Sequence, residues 1–77
     1  MAPFDPETWA EFRGQWVAVK DGIVLASDAE LPRVYDQLDR DPEECDFVAQ
    51  VPSSGSFEEF ERAARAAHVE FRRRLRG

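Results

Sequence analysis

The sequence predicts an α+β domain, a small three-stranded antiparallel sheet joined to a long C-terminal helix. Asp21-Gly22 separates two apolar runs, which is the pattern of a tight β-hairpin. A third β-forming run follows a helical pattern and occupies 47–51. Ser56 then begins a helical periodicity that continues almost to the C-terminus. The predicted element order is therefore α-β-β-α-β followed by the long helix.

The first element is predicted to be a short helix that begins at Asp5. Asp5 suits the N-cap, and Pro6 suits the first helical position because its missing N–H costs nothing there. Phe4 and Trp9 have the spacing of a hydrophobic staple across this cap. Gly14 is expected to end the helix.

The hairpin is predicted to place apolar side chains on both faces of the sheet. A two-residue turn fixes the predicted pairs as Lys20–Ile23, Val19–Val24, Ala18–Leu25 and Val17–Ala26. One face would carry Val17, Val19, Val24 and Ala26, and the other Trp16, Ala18, Ile23 and Leu25. Since a sheet with one solvated face alternates polar and apolar residues, each face of this one must be covered.

A second helix and a third strand follow. Asp28 is predicted to cap the helix, which ends before Pro42. Its apolar positions have helical spacing and are Leu31, Val34, Tyr35 and Leu38. A right-handed crossover through this helix would place the third strand beside the first and give the strand order 2-1-3. The helix would then cover one face of the sheet.

The last helix carries a narrow apolar stripe and ends in arginines. The apolar stripe consists of Phe57, Phe60, Ala64, Ala67, Phe71 and Leu75. The arginine cluster consists of Arg72, Arg73, Arg74 and Arg76. Twenty helical residues span about 30 Å, whereas a body of residues 1–52 measures roughly 25 Å across. We therefore expect the helix to overhang its own body or to meet another chain.

Charged residues are unevenly distributed along the chain of 77 residues, whose formal net charge is −6. Residues 1–52 hold 12 acidic and 4 basic residues, whereas residues 53–77 hold 4 acidic residues and 6 arginines. We predict a compact acidic unit over 1–52, a linker over 53–55 and an arginine-rich amphipathic helix over 56–76. No basic, apolar leader opens the sequence, so we expect a cytoplasmic protein.

The hairpin region resembles a known family. Gly14-Gln15-Trp16-Val17-Ala18-Val19, then Gly22-Ile23-Val24-Leu25-Ala26, a helix and a strand ending in Val51-Pro52 resemble a small family of bacterial domains of unknown function. The resemblance covers about residues 12–52 and implies the ββαβ arrangement. It implies no catalytic residue, because the family has none established.

The residues suited to catalysis or metal binding do not form a recognisable site in the sequence. One cysteine and one histidine cannot supply the four N/S ligands of a structural zinc ion. No Ser or Cys has a sequence context that would place it as a nucleophile beside His68, so we expect a packing or surface role for this histidine. Carboxylates around Cys45 would raise its thiol pKa and suppress reactivity.

An acidic loop precedes the third strand. Its carboxylates are Asp39, Asp41, Glu43, Glu44 and Asp46. A calcium loop needs Gly at its sixth position and Glu at its twelfth, where Glu44 and Gln50 stand. We expect a solvated loop, and a weak cation site is the alternative. An enzyme that uses this loop with a metal ion stays possible at this point.

The sequence favours a non-enzymatic protein–protein interaction or accessory module without a cofactor. The predicted partner-binding residues are the apolar stripe and the arginine cluster of the last helix, acting with the apolar sheet face. The partner would be a second copy or a larger protein. The alternative is a nucleic-acid-binding or antitoxin-like regulator that uses the arginines, although a net charge of −6 opposes approach to a polyanion.

Overall fold

The computed structural model describes residues 2–75. Its strands are β1 (Ala2–Pro3), β2 (Trp16–Lys20), β3 (Ile23–Asp28) and β4 (Phe47–Gln50). Its helices are α1 (Leu31–Gln37) and α2 (Phe57–Leu75), and short 3₁₀ helices occupy Trp9–Phe12 and Pro42–Glu44.

The sheet confirms the predicted α+β class and the order of its three main strands. The central strand β2 pairs antiparallel with both β3 and β4. The two-residue β1 adds a fourth strand outside β3, where Ala2 lies opposite Val24 and Pro3 opposite Ile23. This strand was not predicted, because two residues are too few to show a β pattern.

The hairpin turn is confirmed, but only part of the predicted register is. Asp21 and Gly22 have φ angles of 53° and 76°, the positive values that a type I′ turn requires. Lys20–Ile23 and Val19–Val24 pair as predicted, and the register then shifts, so that Ala18 lies opposite Ala26 and Val17 opposite Ser27. The predicted pairs Ala18–Leu25 and Val17–Ala26 are therefore wrong.

A β-bulge at Leu25 explains this shift. One extra residue on β3 moves every later side chain relative to its predicted face. Ala26 consequently packs with Ala18 and Val34 rather than with Val17 and Val19.

The N-terminal segment is a turn and one 3₁₀ helix rather than the predicted α-helix. A side-chain oxygen of Asp5 accepts hydrogen bonds from the N–H groups of Glu7 and Thr8, each at 3.0 Å. The cap is thus present, but the chain soon leaves the helix, because Gly14 has a φ of 80° and donates its N–H to the Val51 carbonyl at 2.9 Å. That bond ties the segment to the end of β4.

The two helices cover opposite faces of the sheet, as two apolar faces require. On one face, Val34 of α1 packs with Ala18, Ala26 and Cys45. The core on the other face consists of Phe4, Trp9, Val17, Val19, Val24, Phe47, Val51, Phe60 and Ala64. The last two belong to α2, so this helix folds back onto its own sheet.

The start of α1 differs from the prediction. Glu30, not Asp28, is the N-cap residue, and no side chain caps it. Asp28 instead accepts a hydrogen bond from the Glu30 N–H at 3.0 Å, inside the loop before the helix. Within α1, Val34 is fully buried, whereas Tyr35 is 40% exposed.

Candidate partner-binding surface

The structure divides the predicted stripe of α2 into two halves. In the first half, Phe60 and Ala64 are buried in the chain's own core, and Phe57 packs partly buried against it. The Phe60 ring lies 5.8 Å from that of Phe4 and 6.2 Å from that of Trp9, measured between centroids. These residues, like the sheet face beneath them, are therefore occupied within the chain.

The second half of the stripe stays accessible. Beyond Ala64, Ala67 is exposed and Phe71 is half-buried. A cavity of about 210 Å³ opens here, and its walls are Tyr35, Val48, Ala67, His68 and Phe71. Residues of α1, β4 and α2 thus form the walls of one largely apolar hollow.

His68 fixes the second half of α2 to the body. The residue is 6% exposed, and its Nε2 lies 3.4 Å from the Glu43 carbonyl oxygen, within reach for donation by the Nε2–H tautomer. Its ring centroid lies 5.7 Å from that of Phe71. This histidine therefore has a packing role, which is one of the two roles expected from the sequence.

Phe71 lies between two hollows. Besides the cavity with Tyr35, it borders an open depression of about 420 Å³ whose other walls are Asp41, Pro42 and Glu43. A half-buried phenyl ring with space on both flanks can receive apolar groups from a partner. The acidic loop forms one side of this depression.

The arginine cluster extends from the same end of α2. Arg72, Arg73 and Arg74 are exposed in the last turn, where positive charge is favourable to the helix dipole. Arg73 pairs with Glu70 at 3.5 Å on the same helix, and the ion pairs of residues 2–75 include none between the cluster and the acidic loop. The side chain of Leu75 and all of Arg76, also predicted to bind a partner, lie outside the described residues.

Within residues 2–75, Cys45 and the acidic loop do not form a catalytic or metal-binding arrangement. Cys45 is buried, and this burial raises the pKa of its thiol, an effect that Asp46 and Glu44 increase and Arg40 and Lys20 oppose. Within residues 2–75, no group of three potential ligands is placed to hold a metal ion. In the acidic loop, Asp39 pairs with Arg40 at 3.2 Å, and Glu44 accepts the Asp41 N–H at 3.0 Å.

Sequence reasoning missed two residues of this surface, Tyr35 and Val48. Tyr35 and Val48 belong to elements other than α2, and only the packing brings them to Phe71. Tyr35 did carry a signal, because an aromatic side chain with a hydroxyl often lies at the edge of an apolar helix face.

Comparison with known proteins identifies the family of the hairpin region. Residues 7–54, which contain β2, β3, α1 and β4, match the model of a family of unknown function, DUF5678. The chain belongs to this family. The DUF5678 match confirms the resemblance seen in the sequence and ends before α2 begins.

No curated protein and no solved structure matches the chain significantly. In the part of the chain that the structure describes, no helix is both long and apolar enough to cross a membrane.

Proposed function

We propose that this DUF5678 protein is a non-enzymatic protein-interaction module. Its partner contacts the distal surface, defined as Tyr35, Val48, Ala67, Phe71 and the arginines 72–74. The observation that carries the proposal is the position of Phe71, half-buried between two hollows in the last part of α2. We further propose a reducing, cytoplasmic location, which is in keeping with a sequence that has one cysteine and so no intrachain disulfide.

The chemistry of the distal surface suits a protein partner. Aromatic side chains and arginines dominate the binding energy of many protein interfaces, and the most effective ones lie in pockets that exclude water. Phe71 and Tyr35 border an open cavity that a partner would close to water, with exposed arginines one turn of α2 or less from Phe71. We expect the aromatic pair to supply most of the affinity and the arginines to raise the association rate with an acidic surface.

Charge disfavours nucleic acid at the same place. Asp41 and Glu43 line the depression beside Phe71, so a phosphate backbone that reached the arginines would approach carboxylates as well, whereas a protein surface can present charges of both signs. Binding to DNA or RNA must weaken steeply as salt rises, which makes this alternative easy to recognise.

A matched pair of variants tests the proposal. Phe71→Asp places a charge in the distal surface, and Val69→Asp places the same charge on α2 at a residue that is 49% exposed and lines neither hollow. The mass of each protein is measured by light scattering up to several hundred micromolar. Capture of stoichiometric partners from the source cells is compared for the same proteins.

The proposal predicts that wild type and Val69→Asp assemble, with themselves or with one stoichiometric protein, and that Phe71→Asp does not. Equal behaviour of the two variants would refute the distal surface. A wild type that is monomeric and captures no stoichiometric protein would refute the function. A salt-dependent shift of DNA that needs Arg72–Arg74 would replace it by the nucleic-acid alternative.

A further inference from the structure

The outer edge of β4 is open. β4 is the last strand of the sheet, and within residues 2–75 its only strand neighbour is β2. The Val51 N–H donates to the Gln15 carbonyl at 2.8 Å, on the β2 side. Because backbone groups alternate in direction along a strand, those of Phe47 and Ala49 also point towards β2, and those of Val48 and Gln50 point outwards.

The two edges of the sheet differ in protection. Outside β3 lies β1, which contains Pro3, and β3 itself is bulged at Leu25. Proline, bulges and charges are the usual means by which a sheet edge avoids pairing with another chain. β4 has the sequence Phe-Val-Ala-Gln, with no proline and no charge, so its edge is suited to pairing.

Two separate cavities lie beside β4. The first, of about 210 Å³, is lined by Val48, and the second, of about 300 Å³, by Gln50 and Pro52. α2 forms a wall of both, with the small side chains of Ala67 in the first and Ala63 in the second. Small residues there let another backbone approach the edge closely.

We propose that β4 pairs antiparallel with β4 of a second copy, so that the two sheets become one. This inference rests on the proposed function and names its partner and its contact. The two-fold axis passes through Ala49, since only then do the outward groups of Val48 meet those of Gln50 of the second copy, and the reverse. The two Ala49 residues then face each other as a non-hydrogen-bonded pair.

The charges of α2 favour a second copy over an unrelated strand. α2 runs opposite to β4, because its start lies beside Gln50 and Pro52 and its later residues lie beside Val48. Its first turn carries Glu58 and Glu59, and its last turn carries the arginines 72–74. A two-fold axis reverses one helix relative to the other, so each acidic start lies nearer the basic end of the other copy.

Disulfide trapping in the full-length chain tests this register. In a Cys45→Ala background, Ala49→Cys is compared with Gln50→Cys under mild oxidation. Facing residues of a non-hydrogen-bonded pair have Cα atoms about 4.5 Å apart, within disulfide range. The two Gln50 positions are diagonal neighbours about 7–8 Å apart, which is too far. We expect Ala49→Cys to cross-link at least about tenfold faster, although Gln50 is the more exposed residue.

Amide hydrogen exchange supplies the second measurement. As wild-type concentration rises, the amides of Val48 and Gln50 should become protected, whereas those of Phe47 and Ala49 should not change, because β2 already pairs with them. Equal cross-linking of both cysteine variants, or of neither, would overturn the inference, and so would amides of Val48 and Gln50 that ignore concentration.

The two proposals can fail separately. A dimer that is lost in Phe71→Asp but is not trapped by Ala49→Cys would overturn the edge pairing and keep the proposed function. A dimer that is trapped by Ala49→Cys and is indifferent to Phe71→Asp would keep the edge pairing and overturn the distal surface. Protection of Val48 and Gln50 by an added extended peptide, without self-trapping, would overturn the second copy as the occupant.

Discussion

Phe60→Ala should remove much of the stability of this protein, because Phe60 joins α2 to the rest of the core. Its ring lies within 5.8–6.2 Å of the ring centroids of Phe4, Trp9 and Phe47. Truncating a buried phenylalanine to alanine typically costs about 3–5 kcal/mol. At roughly 0.05–0.15 kcal/mol per residue, the free energy of unfolding for a chain of this length is about 4–12 kcal/mol. The loss is therefore about a quarter of the total or more.

Urea denaturation followed by circular dichroism and by tryptophan fluorescence measures this loss, and Trp9 reports directly because it stacks on Phe60. Phe71→Ala is the matched control. The same residue type on the same sequence stripe is only half-buried there, so we expect a loss below about 1.5 kcal/mol. Equal losses for the two variants, or a Phe60→Ala protein within about 1 kcal/mol of wild type, would show that α2 does not pack on its own sheet.

Three further outcomes are expected. Gly22→Val should lower the free energy of unfolding by more than about 1 kcal/mol, because a β-branched residue is strained at positive φ. Gly22→Asn should lower it less, because asparagine tolerates this conformation. Equal melting temperatures of the two variants would contradict the turn. Calorimetry should detect no micromolar Ca²⁺ binding at the acidic loop, and binding that disappears in Asp41→Asn would be the contrary result. Burial raises the pKa of Cys45, so its contribution to stability is present below the ordinary thiol pKa and is lost as the pH rises through the folded pKa. Between pH 7 and 10, the free energy of unfolding of Cys45→Ala should therefore fall less than that of wild type. An equal fall in the two proteins would contradict a raised pKa of Cys45.

The parts of the fold that local chemistry determines could be predicted from the sequence. Asp21-Gly22 specifies a turn whose positive φ angles few other residue pairs accept, and the pairs next to it follow from the turn. Ser56 likewise specifies the start of α2, where its hydroxyl accepts the Glu59 N–H at 3.2 Å. Both elements are confirmed.

The parts that depend on distant packing could not be predicted. No local signal marks the bulge at Leu25, whose effect is to bring Ala26 beneath α1. Asp5 provides a cap, but the length of the helix after it is limited by the bond from Gly14 to the end of β4. The candidate surface shows the same limit, since the α2 stripe looks uniform in the sequence, and only the position of the sheet separates buried Phe60 from accessible Phe71.

Energetics link the open edge to the distal surface. Pairing at Val48 and Gln50 adds four backbone hydrogen bonds per dimer, and at about 0.5–1.5 kcal/mol each they contribute about 2–6 kcal/mol. Association of two proteins costs an estimated 4–15 kcal/mol in lost freedom of motion, so over most of these two ranges the hydrogen bonds of the edge alone do not hold a dimer. The additional contribution must come from side chains beside the strand, and Tyr35 and Phe71 are the aromatic residues that line the cavity at Val48. Edge pairing together with the distal surface therefore predicts a weak dimer whose affinity depends on Phe71, even though Phe71 is not in the strand. A tight dimer that survives Phe71→Asp would mean that some other surface supplies the energy.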